Sequence, residues 1–198
     1  MRHRPSNLLQ SLVAAWLCLL CYAWSAAQTP TDLTYIKAGR LFDGRSDKLL
    51  SNAVIIVQGK QIMQVGQGLA VPSGANVIDL GDLTVMPGLI DAHTHIVLHA
   101  GDYDAQILRE TPEFRAIYAT RSALLTLEAG VTTIRDLGNE GAGFADIALR
   151  DAIAQGLVPG PRIIAAIRPV TSTGGYRLVG YSPYHTLPPL SSSADGPA

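Results

Sequence analysis

Two histidines one residue apart, His93 and His95 in the run Met86-Pro87-Gly88-Leu89-Ile90-Asp91-Ala92-His93-Thr94-His95-Ile96, are the side chains best placed to do chemistry. Successive side chains of a strand alternate faces, so the two imidazoles share one face and Thr94 takes the other. Two neutral imidazoles one pleat apart can grip a single divalent ion, at metal to nitrogen distances of about 2.0–2.1 Å for zinc. A His-x-His pair by itself also fits plain polar packing. Its setting favours the metal: Val85 to Ile90 reads as a strand buried on both faces, and two titratable groups closing such a strand require a reason.

Other candidates surround the pair in sequence. Asp91 shares the parity of the histidines and is either a partner that orients an imidazole or an inward structural hydrogen bond. Arg135 and Asp136 close the next strand-like run, as a substrate contact or as an ion pair. Further on, Gly174 and Gly175 allow close backbone approach to a ligand, and Tyr176, Tyr181, Tyr184 and His185 either line the same cleft or serve packing. His99, with Asp102 and Asp104, reads as a surface loop residue.

The elements that must position these residues change character along the chain. Of 198 residues, 47% are hydrophobic and 16% charged, with a net charge of -1, enough for one sizeable domain or two small ones and not basic enough for nucleic acid. Residues 1–27 form an export leader: Arg2, His3 and Arg4, the apolar stretch Leu12 to Tyr22, then Ser25-Ala26-Ala27 as a cleavage site. The apolar stretch is shorter than the roughly 20 residues of a membrane span, so the mature chain is expected in the periplasm or secreted, without a membrane anchor. Cys18 and Cys21 both fall in the leader, which removes disulfides and thiolate-held zinc from consideration. Residues 28–84 read as short strands, Tyr35 to Ala38, Ala53 to Gln58, Gln61 to Val65, Val77 to Leu80 and Leu83 to Val85. A turn over Gly44 to Lys48 and a type II′ hairpin at Gly59-Lys60 punctuate them. From residue 85 strand and helix alternate, predicting parallel βαβ units. The expected elements are a strand from Val85 to His95, a polar loop, a helix from the Thr111 cap to before Gly130, a strand over Thr132 to Asp136, a helix over Phe144 to Gln155 and a strand over Ile163 to Ile167. The first helix is expected to bury Ile117, Leu124, Leu125 and Leu127. Residues 168–198 read as loop.

Pro87-Gly88-Leu89-Ile90-Asp91-Ala92-His93-Thr94-His95 resembles the first barrel strand of the amidohydrolase superfamily, and Gly130-Val131-Thr132-Thr133-Ile134-Arg135-Asp136-Leu137-Gly138 resembles its second. Gly39-Arg40-Leu41-Phe42-Asp43-Gly44 extends the likeness, which is greatest to the imidazolonepropionase-like and Xaa-Pro dipeptidase-like subgroups. The resemblance implies an α/β fold: a partial TIM (β/α)8 barrel, its first three βα units over residues 85–198, preceded by half of a small β-sandwich. It implies a metal-dependent hydrolase of non-peptide C–N bonds or dipeptides. His93 and His95 would hold one or two divalent ions, zinc above all, with a carboxylated lysine or glutamate, two later histidines and a late aspartate. No lysine follows Lys60, and no later strand offers those ligands. The expectation is therefore an amino-terminal fragment, inactive alone, whose substrate is a small molecule or dipeptide. A non-catalytic exported binding module or a remnant is the competing reading. Oligomeric state leaves no mark in the sequence.

Overall fold

Runs of β-branched residues broken by tight turns build a single sheet in the first part of the chain. The computed structural model describes residues 33–197, and they divide into two units, one ending at Pro87 and one beginning at Gly88. The leader and both cysteines lie outside the described residues.

In the first unit β1 (Leu33–Leu41), β2 (Leu50–Gln58) and β3 (Gln61–Gln67) form an antiparallel meander. Gly59 takes φ 55° while Lys60 does not take a positive φ, the pattern of the expected type II′ turn. On the other edge of β1 run two short parallel strands end to end, β4 (Asn76–Asp79) and β5 (Thr84–Val85). Where the chain passes between them, Gly39 leaves room that a side chain would close, since a Cβ there would sit 2.8 Å from the Asp82 backbone. The turn after β1 is tied by Asp43, whose Oδ1 accepts from the Arg45 and Ser46 amides at 2.8 and 2.9 Å. Leu41, Ala53 and Ile55 form the buried centre, with Ile36, Leu50, Val57 and Val85 against it.

The second unit alternates strand and helix. β6 (Leu89–Thr94), β7 (Val131–Asp136) and β8 (Arg162–Ala165) pair in parallel in that order. Between β6 and β7 lie α1 (Tyr103–Arg109) and α2 (Pro112–Glu128), and between β7 and β8 lies α3 (Ala145–Ala154). Two-residue strands β9 (Val170–Thr171) and β10 (Ser192–Ser193) pair across the closing loop. Thr111 caps α2 as expected, its hydroxyl accepting from the Phe114 amide at 3.2 Å, with Pro112 in the first turn. The core joins Ile96, Val97, Ala119, Ala123, Ile134, Leu149 and Ile163. Among the described residues no helix is long and apolar enough to cross a membrane.

Four expectations need correction. The strand foreseen from Val85 to His95 is broken at Met86-Pro87-Gly88, because Val85 pairs with β1 whereas Leu89 begins pairing with β7. β6 is not buried on both faces either: Ile90 is 71% exposed and Leu89 50%, and among the described residues β6 is also an edge strand, paired with β7 alone. The supposed polar loop contains α1, capped by Asp102, whose Oδ1 accepts from the Ala105 amide at 3.0 Å. And α2 buries Arg115, Ala119 and Ala123 while Ile117 and Leu125 face outward, because close approach of α2 to its neighbours selects small side chains.

Candidate functional site

His93 is the fifth residue of β6 and His95 lies just beyond the strand's carboxyl end, the rim at which parallel α/β sheets carry their ligands. Their rings approach edge to face with centroids 5.5 Å apart. His93 is exposed, whereas His95 is partly enclosed and its Nδ1 is engaged twice, by Glu140 Oε1 at 2.9 Å and by the Gly138 carbonyl at 3.0 Å. Both neighbours are acceptors, so Nδ1 carries a hydrogen, and in the neutral ring the lone pair is then on Nε2.

The loop that supplies these acceptors leaves the end of β7. Glu140, 1% exposed and held at φ 50°, also accepts from the Tyr103 hydroxyl at 2.5 Å and from the Tyr176 hydroxyl at 3.1 and 3.2 Å. Burial first, then the bond to Glu140, pushes the Tyr103 hydroxyl well above the ordinary phenol range, and burial does the same more mildly for Tyr176. Beneath them Arg115 reaches out of α2 to three carbonyls, Val97 at 3.3 Å, Asn139 at 3.1 Å and Glu140 at 2.7 Å. One guanidinium thus ties the loop after β6 to the loop after β7, although burial lowers its basicity.

Asp136 ends β7 fully buried. Its Oδ2 accepts from the Ile96 amide at 2.5 Å and from the Thr94 hydroxyl at 3.4 Å, which fixes the backbone on either side of His95. Its Oδ1 has no partner, and neither has either oxygen of the equally buried Asp146 on α3. Burial, opposed by the Ile96 amide and reinforced by Asp146, pushes Asp136 up to about 6.

The remaining candidates are placed as follows. Asp91 accepts from the backbone amide of His93 at 3.0 Å, so its carboxylate serves the strand end rather than an imidazole. Arg135 forms no ion pair with Asp136; it is exposed and donates to the Ala92 carbonyl at 2.9 Å, as alternation along β7 requires. Gly174 has φ 71°, and at Gly175 a Cβ would meet Thr171 Oγ1 at 2.4 Å, so this glycine lets the loop fold onto itself. Tyr176 joins the Glu140 cluster, whereas Tyr181 donates to Asp104 at 2.5 Å and Tyr184 is 96% exposed. Tyr181 and His185 line a cavity of about 480 Å³ formed within residues 174–193. His99 is not a free loop residue: its Nε2 meets Glu110 at 3.0 Å, and the Ala100 carbonyl, helped by Glu110, raises its basicity. Reading from sequence missed Glu140, Tyr103, Arg115 and Asp146. An acid among closely spaced glycines, Gly138, Gly141 and Gly143, just past a strand's carboxyl end, was the one available signal.

Comparison with known proteins places these residues in a family. The model of the amidohydrolase family matches residues 84–188, just over half of the chain, and the chain belongs to that family. A dihydroorotase of Geobacter sulfurreducens is 40% identical over 78 residues, 38% of this chain and 18% of that protein. An imidazolonepropionase of Streptomyces avermitilis is 32% identical over 74 residues, 37% of this chain and 16% of that protein. Among solved structures, a Xaa-Pro dipeptidase with methionine bound in its active site superposes with a TM-score of 0.66 at 35% identity, over 77% of this chain and 39% of that one. The chain therefore spans less than a fifth of the curated relatives it matches.

Family membership implies a divalent metal, and the donors can be tested against it. His93 and His95 offer two imidazoles side by side, one with its other nitrogen held by acceptors, which is how metal-binding histidines are usually oriented. Among the described residues no group of three or more His, Cys, Asp or Glu side chains converges. The described residues fit two ligands of such an ion and no more.

Proposed function

We propose that His93 and His95 are two ligands of a divalent metal, zinc in particular, in a hydrolase that opens C–N bonds of a small cyclic amide or a dipeptide. The observation that carries this is the pair of imidazoles 5.5 Å apart at the carboxyl rim of a parallel sheet. Relatives named dihydroorotase, imidazolonepropionase and Xaa-Pro dipeptidase support the substrate class. The sheet β6-β7-β8 with its helices is read as the opening of a (β/α)8 barrel, and the sheet built from β1 to β5 as part of a small sandwich. When bound, the metal supplies Lewis acidity and a water acidified toward a pKa of about 7. The chain's own residues do the holding: His93 and His95 offer nitrogen, Asp136 fixes the backbone around His95, and Asp91 fixes the amide of His93. Catalytic zinc normally takes three protein ligands. With two donors among the described residues, the 198-residue chain alone is expected to bind metal weakly and not to turn substrate over. The leader in residues 1–27 supports export to the periplasm or beyond.

Zinc affinity of the chain, measured against a competing chelator before and after His93→Ala with His95→Ala, tests the reading. Binding is expected to be lost in the double variant, and unchanged affinity would refute the assignment.

A further inference from the structure

We infer that Glu140 is a positioning residue for His95: its carboxylate, 2.9 Å from Nδ1, favours by its charge the tautomer that keeps the hydrogen on Nδ1 and leaves the Nε2 lone pair free, while Tyr103 and Tyr176 clamp the carboxylate and Arg115 holds the backbone carbonyl beneath it. This rests on the proposed metal-binding role of His95 and adds a residue that lies 45 positions away in the chain.

Glu140 is 1% exposed, and burying a carboxylate is unfavourable unless its oxygens are satisfied. They are. Oε1 meets His95 Nδ1 at 2.9 Å and Tyr176 at 3.1 Å, while Oε2 meets Tyr103 at 2.5 Å and Tyr176 at 3.2 Å. Its lone pairs are therefore committed, which makes it a poor candidate for a metal ligand and a good one for holding a ligand in place. The three partners come from separate places: His95 follows β6, Tyr103 opens α1, and Tyr176 belongs to the loop after β9. A single carboxylate thus gathers the segments that surround the histidine.

The backbone beneath is fixed too. Glu140 occupies φ 50°, a strained conformation for a residue other than glycine, and Arg115 bonds the carbonyls of Glu140 and Asn139 at 2.7 and 3.1 Å. A strained backbone, a buried guanidinium and three partners around one carboxylate amount to more than burial of an incidental acid requires. Carboxylate partners of this kind orient a metal-binding imidazole and raise its basicity. The Gly138 carbonyl accepts the Nδ1 hydrogen bond at 3.0 Å, and Glu140 adds beside it the negative charge that favours the same tautomer.

The test uses the full chain with Glu140→Gln, zinc as the probe, and the His93→Ala/His95→Ala variant as reference. Two quantities are measured: zinc affinity by chelator competition, and the Nδ1 hydrogen of His95 in metal-free protein by nitrogen-15 NMR at about pH 8, where an ordinary imidazole is neutral. Glu140→Gln is expected to weaken zinc binding about 10- to 100-fold and to shift His95 toward the other tautomer or speed exchange of its Nδ1 hydrogen. Should Glu140→Gln fail to fold, Tyr103→Phe with Tyr176→Phe leaves the carboxylate but removes its clamps, and a smaller loss in both readouts is expected. Unchanged zinc affinity, or weakened affinity with the His95 signals unaltered, overturns the role of Glu140. If the double-alanine reference binds zinc as the parent does, the metal reading itself falls. If the reference loses zinc while Glu140→Gln keeps it, the role of Glu140 alone falls.

Discussion

Both units of this chain bury apolar side chains, but they differ in what polar groups they bury beside them. The sheet of the first is centred on Leu41, Ala53 and Ile55, with its charged side chains left outside. In the second, every buried polar or charged side chain found among the described residues is collected: Gln106, Arg115, Asp136, Asn139, Glu140 and Asp146. Apolar burial stabilises at about 25 cal/mol per Å² without asking for geometry, whereas each buried polar group costs free energy unless its partners are in place. A fold retains such groups where they specify an arrangement, and here they surround His95 and the ends of β6 and β7.

The sharpest way to break that contrast is to make the second unit resemble the first. Arg115→Leu would strand the carbonyls of Val97, Asn139 and Glu140, and is expected to cost about 3–9 kcal/mol, at about 1–3 for each orphaned group. Urea unfolding followed by circular dichroism measures it. A neutral or stabilising outcome would mean that packing alone holds the two loops.

A subtler effect concerns pH. Asp136 rises from 3.8 to about 6 on folding, so the folded state binds its proton more readily than the unfolded one. Its contribution to stability is therefore complete below about pH 3.8 and is lost as pH climbs through about 6. Asn at this position can still accept from the Ile96 amide but cannot ionise. Asp136→Asn should accordingly gain on the parent between pH 4 and pH 7.5, by about 2–3 kcal/mol at most, since one pKa unit is worth about 1.4 kcal/mol. Parallel urea titrations at the two values check the sign, and a stability difference independent of pH would show that folding does not raise the pKa of Asp136.

What could be read from the sequence follows the same division. Local chemistry was legible: the Gly59-Lys60 turn, the Thr111 cap, the helix over residues 145–154 and the two-residue spacing that brings the rings of His93 and His95 together. Long-range polar contacts were not, because nothing near His95 announces a partner at Glu140 or a clamp at Arg115. The inner face of α2 was misjudged for a related reason. Periodicity weighs large apolar residues, but a helix lying close to its neighbours turns Arg115, Ala119 and Ala123 inward and leaves Ile117 72% exposed. The seven-residue α1 is too short for periodicity to register, and nothing in the local sequence separates its Asp102 cap from a loop acid.

X-ray absorption at the zinc edge of the zinc-loaded chain tests the central claim most directly. The account predicts scattering from two imidazole nitrogens at about 2.0–2.1 Å, absent when His93 and His95 are both replaced by alanine. A coordination shell of oxygen alone, or one that the replacement leaves unaltered, would contradict it.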